Sequence, residues 1–377
     1  MKLISILIFF FGFLSFGQDI DTLSFYSEAF EEQRTIYVHK PEFYKYKSDS
    51  IKLPVIFLLD GQHEWFVDPI LSDIRFLQYT HEIPMAIVVV IPHKNRNKEC
   101  RLPSMHTDLP LDTFITQEIN RELLSYNPSD FKIIIGHSFS ASFSLYTYLK
   151  HPNYYTAVIA NTPLEKMEWL IKSFQEDYAL DKSNISISIG GSSVSKDYYH
   201  RRKYNELKEK YPNFFNTINT FEADNSAHNA VPLVSTPLLL TNIFKNFKGR
   251  YSHIAKVDED YKLISKPEPP EKEIEKIKLA SKIETSTYPS EIPEINGIAS
   301  RYWNSDYEDI ATKIYQLGIQ YYPHYYDFYL SLYELTAPKD KLKAREYLDE
   351  AELLLKTFES QWDGKNKIID DIKEKKG

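Results

Sequence analysis

A single cysteine, Cys100, stands among the 377 residues, so no intramolecular disulfide can form and the fold must hold through its core and hydrogen bonds. Glycine is sparse at 11 residues and proline reaches only 20, which excludes collagenous and low-complexity chains. Basic charge is also short: 45 Lys and Arg against 53 Asp and Glu leave a formal charge of -8. That balance offers no electrostatic footprint for a phosphate backbone or an anionic membrane surface, so neither nucleic acid nor a membrane is an expected partner. The apolar run from Leu3 to Phe16, broken only by Ser5, Gly12 and Ser15, is shorter than the roughly 20 residues a bilayer core requires. It follows Met1-Lys2 and gives way to Gly17-Gln18-Asp19. This pattern predicts a secretory signal over residues 1–17, cleaved after Gly17, and hence a periplasmic or secreted protein.

What is present describes an ordinary globular chain, with 42% hydrophobic and 26% charged residues. The length suits one large domain and a smaller one. Aromatic residues are plentiful at 28 Tyr and 23 Phe; a tyrosine-rich surface explains them more simply than an aromatic-binding cleft.

Along the chain, Thr35-Ile36-Tyr37-Val38-His39 alternates and ends before Pro41, which reads as an early antiparallel strand. Leu53 to Leu59, Ala86 to Ile91 and Phe131 to Ile135 are mostly or wholly apolar runs, the signature of strands buried on both faces. Strands at Thr156 to Ala160, Ile185 to Ile189 and Thr217 to Phe221 follow, with helical spacing between them, as in Phe114 to Tyr126. A closing helix is expected over Pro237 to Phe247. The alternation implies an α/β fold with a mostly parallel sheet covered on both sides.

Beyond Arg250 the composition shifts toward Lys, Glu, Pro, Ser and Thr, which predicts an exposed linker over 251–295. A small α-helical domain is expected over 296–377. Placing Ala311 against Ala344 gives a spacing close to the tetratricopeptide period of about 34 residues. Such a repeat and a plain helical hairpin capping the larger domain explain the stripes equally well, and the helices are a candidate platform for a protein partner.

The chemical signal is Gly136-His137-Ser138-Phe139-Ser140, set between a buried strand and a helix running to Lys150. A strand turning sharply into a helix exposes a serine hydroxyl at the carboxyl edge of a sheet, and the helix amino end favours a developing oxyanion. Ser138 is therefore the candidate nucleophile. Serine needs a base, and His228 stands downstream in a polar loop after the last strand, where it can return to the serine. Asp60, His63, Glu64 and Asp68 match no metal-ligand spacing, and no metal or cofactor is expected. Arg96, Lys98 and Arg101 read as a solvated loop, with contact to an anionic substrate group as the alternative.

Taken together, Leu58-Leu59-Asp60-Gly61, Ile91-Pro92 with its polar loop, the Ser138 turn and His228-Asn229-Ala230-Val231-Pro232-Leu233 resemble the esterase family of α/β-hydrolases that includes enterochelin esterase, esterase D and feruloyl and acetyl esterases. The resemblance implies an α/β-hydrolase domain over 18–250. It also implies an acyl-enzyme mechanism acting on a small-molecule ester, such as a siderophore ester or an acylated or feruloylated carbohydrate. It places the oxyanion donors at the amides of Phe139 and of Gly61 or Gln62. The acid is expected in the loop after Ile185 to Gly191, where the first carboxylate is Asp197. Asp197 is also a natural N-cap for the segment that follows it, and Glu222 and Asp224 remain fallback acids. Ser140 stands where this family has glycine, and an esterase-like binding or scaffold protein with weakened catalysis is the alternative reading.

Overall fold

Apolar runs that bury both of their faces form the middle of an eight-stranded sheet. The computed structural model describes residues 19–102, 108–163, 165–176, 182–191 and 198–376; the expected signal segment and Asp197 lie outside them. The strands are β1 (Ile20–Ser27), β2 (Glu32–His39), β3 (Leu53–Leu58), β4 (Ile87–Val90), β5 (Pro128–His137), β6 (Ala157–Asn161), β7 (Ile185–Gly190) and β8 (Asn219–Ala223). Their order is β1-β2-β4-β3-β5-β6-β7-β8. β1 and β2 pair antiparallel, β2 joins β4 antiparallel, and every pairing from β4 to β8 is parallel.

Successive side chains of a strand point to opposite faces. Val55 and Phe57 therefore enter one buried cluster while Ile56 and Leu58 enter the other. The second cluster lies beneath α1 (Glu64–Tyr79). On the first face lie an irregular helical stretch over residues 110–126, partly π-helical, then α2 (Phe139–Lys150) and α3 (Met167–Glu176). α4 (Tyr198–Lys210) follows β7, and α5 (Val231–Ile243) closes the sheet beside α1.

Within 251–295, where the composition predicts an exposed linker, the chain instead forms α6 (Pro270–Ala280) and a short hairpin pairing Lys282–Ile283 with Ser286–Thr287. Ile277 of α6 is buried, and Glu273 accepts a 2.6 Å hydrogen bond from Tyr302 Oη. The remaining helices are α7 (Ile292–Asn304), α8 (Glu308–Tyr321), α9 (Tyr326–Thr336), α10 (Lys341–Thr357) and α11 (Lys365–Lys376). Each packs on its successor, with Ala311 and Ala344 both buried. Tyr146, Tyr302 and Tyr322 are completely buried, so part of the tyrosine content is core rather than surface.

The helices attach to the sheet at its amino edge. Glu291 caps α7, accepts from the Met85 amide at 2.8 Å and meets His81 Nδ1 at 2.9 Å, and Ser48 N–H donates to Tyr321 O at 2.7 Å. These contacts precede β3 and β4, whereas Ser138 and His228 follow β5 and β8. The helical unit and the candidate site thus occupy opposite ends of the parallel strands. Among the described residues, no helix is long and apolar enough to cross a membrane.

Candidate active site

β5 ends at His137 and α2 begins at Phe139, so Ser138 turns the chain in one residue. It does so with φ 61° and ψ -116°, a conformation costly for any residue with a Cβ. Two backbone bonds hold it: Ser138 N–H donates to Asn161 O at 2.8 Å, and Ser138 O accepts from Ser142 N–H at 3.2 Å. Asn161 is itself fixed. Its Oδ1 accepts from Ser188 and Ser235 hydroxyls at 2.7 and 2.8 Å, and its Nδ2 donates to Thr236 Oγ1 at 3.1 Å, all among completely buried side chains. Gly136 is demanded by close passage of the backbones, because a Cβ there would collide with the Ser140 carbonyl and lie 2.7 Å from Ser144 Oγ.

Ser140 is completely buried. Its hydroxyl accepts from His137 N–H at 2.8 Å and lies 2.5 Å from Asp60 Oδ2, to which it donates. Arg96 grips the other side of Asp60, with Nε 2.5 Å from Oδ1, and its Nη2 donates to His137 O at 2.6 Å. Burial acts to raise the Asp60 pKa, but Arg96, His93 and Ser140 outweigh it and hold the carboxyl below its ordinary value. Arg96 thus supports the serine turn, while Lys98 and Arg101 are exposed.

The His228 loop is brought to the same place through His137. His137 Nε2 lies 3.1 Å from His228 O, and the two rings are 4.6 Å apart between centroids. Burial, and next the adjacent His228, push the His137 pKa down to about 3. The ring is therefore neutral near pH 7, and Nε2–H is the donor to the carbonyl. Phe66 stacks on His137 at 5.7 Å, the half-exposed Trp65 meets it edge-on at 5.8 Å, and His200 lies 5.1 Å from the His228 ring. Neither His137 nor Asn161 is singled out by the sequence pattern.

The Gly61 amide donates to Ile91 O at 3.0 Å, which spends one of the two oxyanion candidates on that loop. Gly61 is still required, since a Cβ there would lie 2.7 Å from Pro92 N. The amides of Gln62 and Phe139 make no hydrogen bond within the described residues, and neither does the Ser138 hydroxyl. Of the fallback acids, Glu222 and Asp224 both pair with Arg201, Asp224 at 2.8 Å, and Glu222 also meets Lys208 at 2.6 Å. Among the described residues no cluster of three His, Cys, Asp or Glu side chains is arranged to hold a metal.

Residues 27–200 match the family model Putative esterase. Among solved structures, an IroE-like serine hydrolase from Shewanella oneidensis superposes with a TM-score of 0.58 at 16% identity, covering 79% of this chain and 98% of its own. A protein of uncharacterised function from Capnocytophaga ochracea gives 0.55 at 14% identity and covers 94% of this chain and 99% of its own. Both share the α/β fold, and the second extends the likeness over most of the chain. No curated protein matches the sequence.

Proposed function

We propose that this protein hydrolyses a carboxylic ester through an acyl-enzyme on Ser138. The observation that carries the reading is the Ser138 backbone, held at φ 61° between a buried strand and a helix amino end. Strain of this kind persists only where surrounding structure over-determines it, and it concentrates at functional sites. The esterase family match over the same segment supports the chemistry.

In this mechanism Ser138 Oγ attacks the ester carbonyl while His228 takes its proton, and the Phe139 and Gln62 amides receive the charge that develops on the carbonyl oxygen. His228 returns the proton to the leaving alcohol, and water then releases the acid by the same route. The Ser138 hydroxyl makes no hydrogen bond within the described residues, which is compatible with this, since catalytic hydrogen bonds often form or tighten only in the complex. Asp197 is the proposed carboxylate that orients His228. Siderophore esters and acylated or feruloylated carbohydrates are the proposed substrates, on the family resemblance, and export by residues 1–17 places the reaction outside the cytoplasm. The tetratricopeptide character of the helical unit is likewise part of the proposal.

Steady-state hydrolysis of short-chain aryl esters by the protein from Gln18 onward, with Ser138→Ala and Asp197→Asn beside it, tests the reading. Turnover lost in Ser138→Ala and sharply reduced in Asp197→Asn is the expected result. A folded wild type without turnover on any ester supports the binding-protein alternative.

A further inference from the structure

Serine at position 140 departs from the glycine of the family pattern, and its surroundings show what the hydroxyl does there. Asp60 is 1% exposed and adopts φ 64°, so the chain leaving β3 turns at a buried carboxylate. Two residues later comes Gln62, whose amide is one proposed oxyanion donor. Ser140 stands two residues after Ser138 and next to Phe139, whose amide is the other. The bond from Ser140 Oγ to Asp60 Oδ2 therefore ties together two segments distant in sequence, each carrying half of the oxyanion pocket.

Arg96 makes the tie rigid. It holds Asp60 through Nε at 2.5 Å and Nη2 at 3.2 Å, and through Nη2 it holds His137 O at 2.6 Å. The same His137 residue gives its N–H to Ser140 Oγ. Asp60 is braced from behind by His93, 3.8 Å away, which leans on Glu99 at 3.0 Å, and Glu99 is gripped by both terminal nitrogens of the buried Arg34. Glycine at 140 would satisfy the space but take from His137 N–H its Ser140 acceptor and from Asp60 Oδ2 the shorter of its two donors, leaving that oxygen only the 3.2 Å bond from Arg96, and lost hydrogen bonds are costly for buried groups. Oxyanion stabilisation depends on donors held about 2.7–3.1 Å from the developing charge, and an error of roughly half an ångström in such a site is already damaging.

We infer that Ser140, Asp60 and Arg96 form a buried clamp that sets the distance between the Phe139 and Gln62 amides, and that Ser140 is a positioning residue rather than a tolerated departure from glycine. The inference rests on the Ser138 reading above. None of the three side chains needs to touch substrate.

The test is a double-mutant cycle on aryl ester hydrolysis with wild type, Ser140→Ala, Asp60→Asn and the double variant, each checked for folding by circular dichroism and melting. Removing Ser140 Oγ is expected to lower kcat about tenfold with KM changed less than about twofold, because the oxyanion forms only after binding. The double variant is expected to be no slower than the slower single one, since both changes release one clamp. If Asp60→Asn does not fold, Arg96→Lys replaces it in the cycle. Folded Ser140→Ala with wild-type kcat, or losses that multiply in the double variant, would overturn the clamp while leaving Ser138-dependent turnover in place. A wild type with no Ser138-dependent turnover would overturn the esterase reading and the clamp with it.

Discussion

His137 Nε2 lies 3.1 Å from the carbonyl oxygen of His228, so the side chain just before the serine carries the backbone of the loop that bears the histidine. Because burial and then His228 itself keep His137 neutral, with a pKa near 3, this donor persists across the whole range in which an ester hydrolase with a histidine base would work. His137→Phe retains the aromatic stack and removes the donor. A net contribution of about 1 kcal/mol for such a bond corresponds to a loss of roughly fivefold in kcat. Measured kcat unchanged in a folded His137→Phe protein would show that the loop is placed by something else.

The Ser138 turn depends on Asn161 in a way that stability measurements can isolate. Asn161→Ala preserves the backbone acceptor for Ser138 N–H but removes the Asn161 partner from three buried hydroxyls, those of Ser188, Ser235 and Thr236, of which Ser235 keeps its 2.8 Å bond to Val231 O. Leaving buried polar groups unsatisfied costs about 1–3 kcal/mol each before relaxation. Urea unfolding is therefore expected to show a loss of at least about 2 kcal/mol, and a loss under about half a kilocalorie would show that the network is not a support.

Gly136→Ala is expected to be worse tolerated than its single methyl suggests. The new Cβ would meet backbone of Ser140, which cannot swing aside as a side-chain tip can. Overpacking of this kind costs about 1–3 kcal/mol or more, and the elbow itself must shift. Esterase activity and melting temperature should fall together; a variant with wild-type values in both would contradict the close passage of β5 and α2.

Much of the sheet is legible in the sequence, for a physical reason. Strands buried on both faces, such as Leu53–Leu58 and Ile87–Val90, are written as uninterrupted apolar runs. β1 is not, because it lies at the sheet edge with side chains mostly exposed or half-buried. The stretch 251–295 misleads in the opposite sense: α6 presents many charged residues and buries only Ile277 and Glu273, so its composition resembles a solvated linker. At the site, Ser138 and the His228 loop are legible from a local turn motif and chain order. The Asp60, Arg96 and Ser140 contacts are not, since they join segments that only the folded sheet brings together.

At the far edge of the sheet, the His81 contact with Glu291 predicts a pH dependence. The hydrogen bond to Glu291 raises the His81 pKa, against the effect of burial. The folded state thus favours the imidazolium, and its stabilisation is present below the ordinary histidine value of about 6.5 and is lost as pH rises through the raised folded value. His81→Gln should lower the melting temperature at about pH 5.5 by an amount worth at most roughly 1 kcal/mol, and by less at about pH 8.5. An effect that grows toward alkaline pH would contradict the assignment of the attachment at Glu291.

The most direct test of the account is covalent. Incubation with a fluorophosphonate probe followed by peptide mass spectrometry is predicted to place a single adduct on Ser138, absent from Ser138→Ala and strongly slowed in His228→Ala. A folded wild-type protein that remains unlabelled, or an adduct on another residue, would contradict Ser138 as the nucleophile.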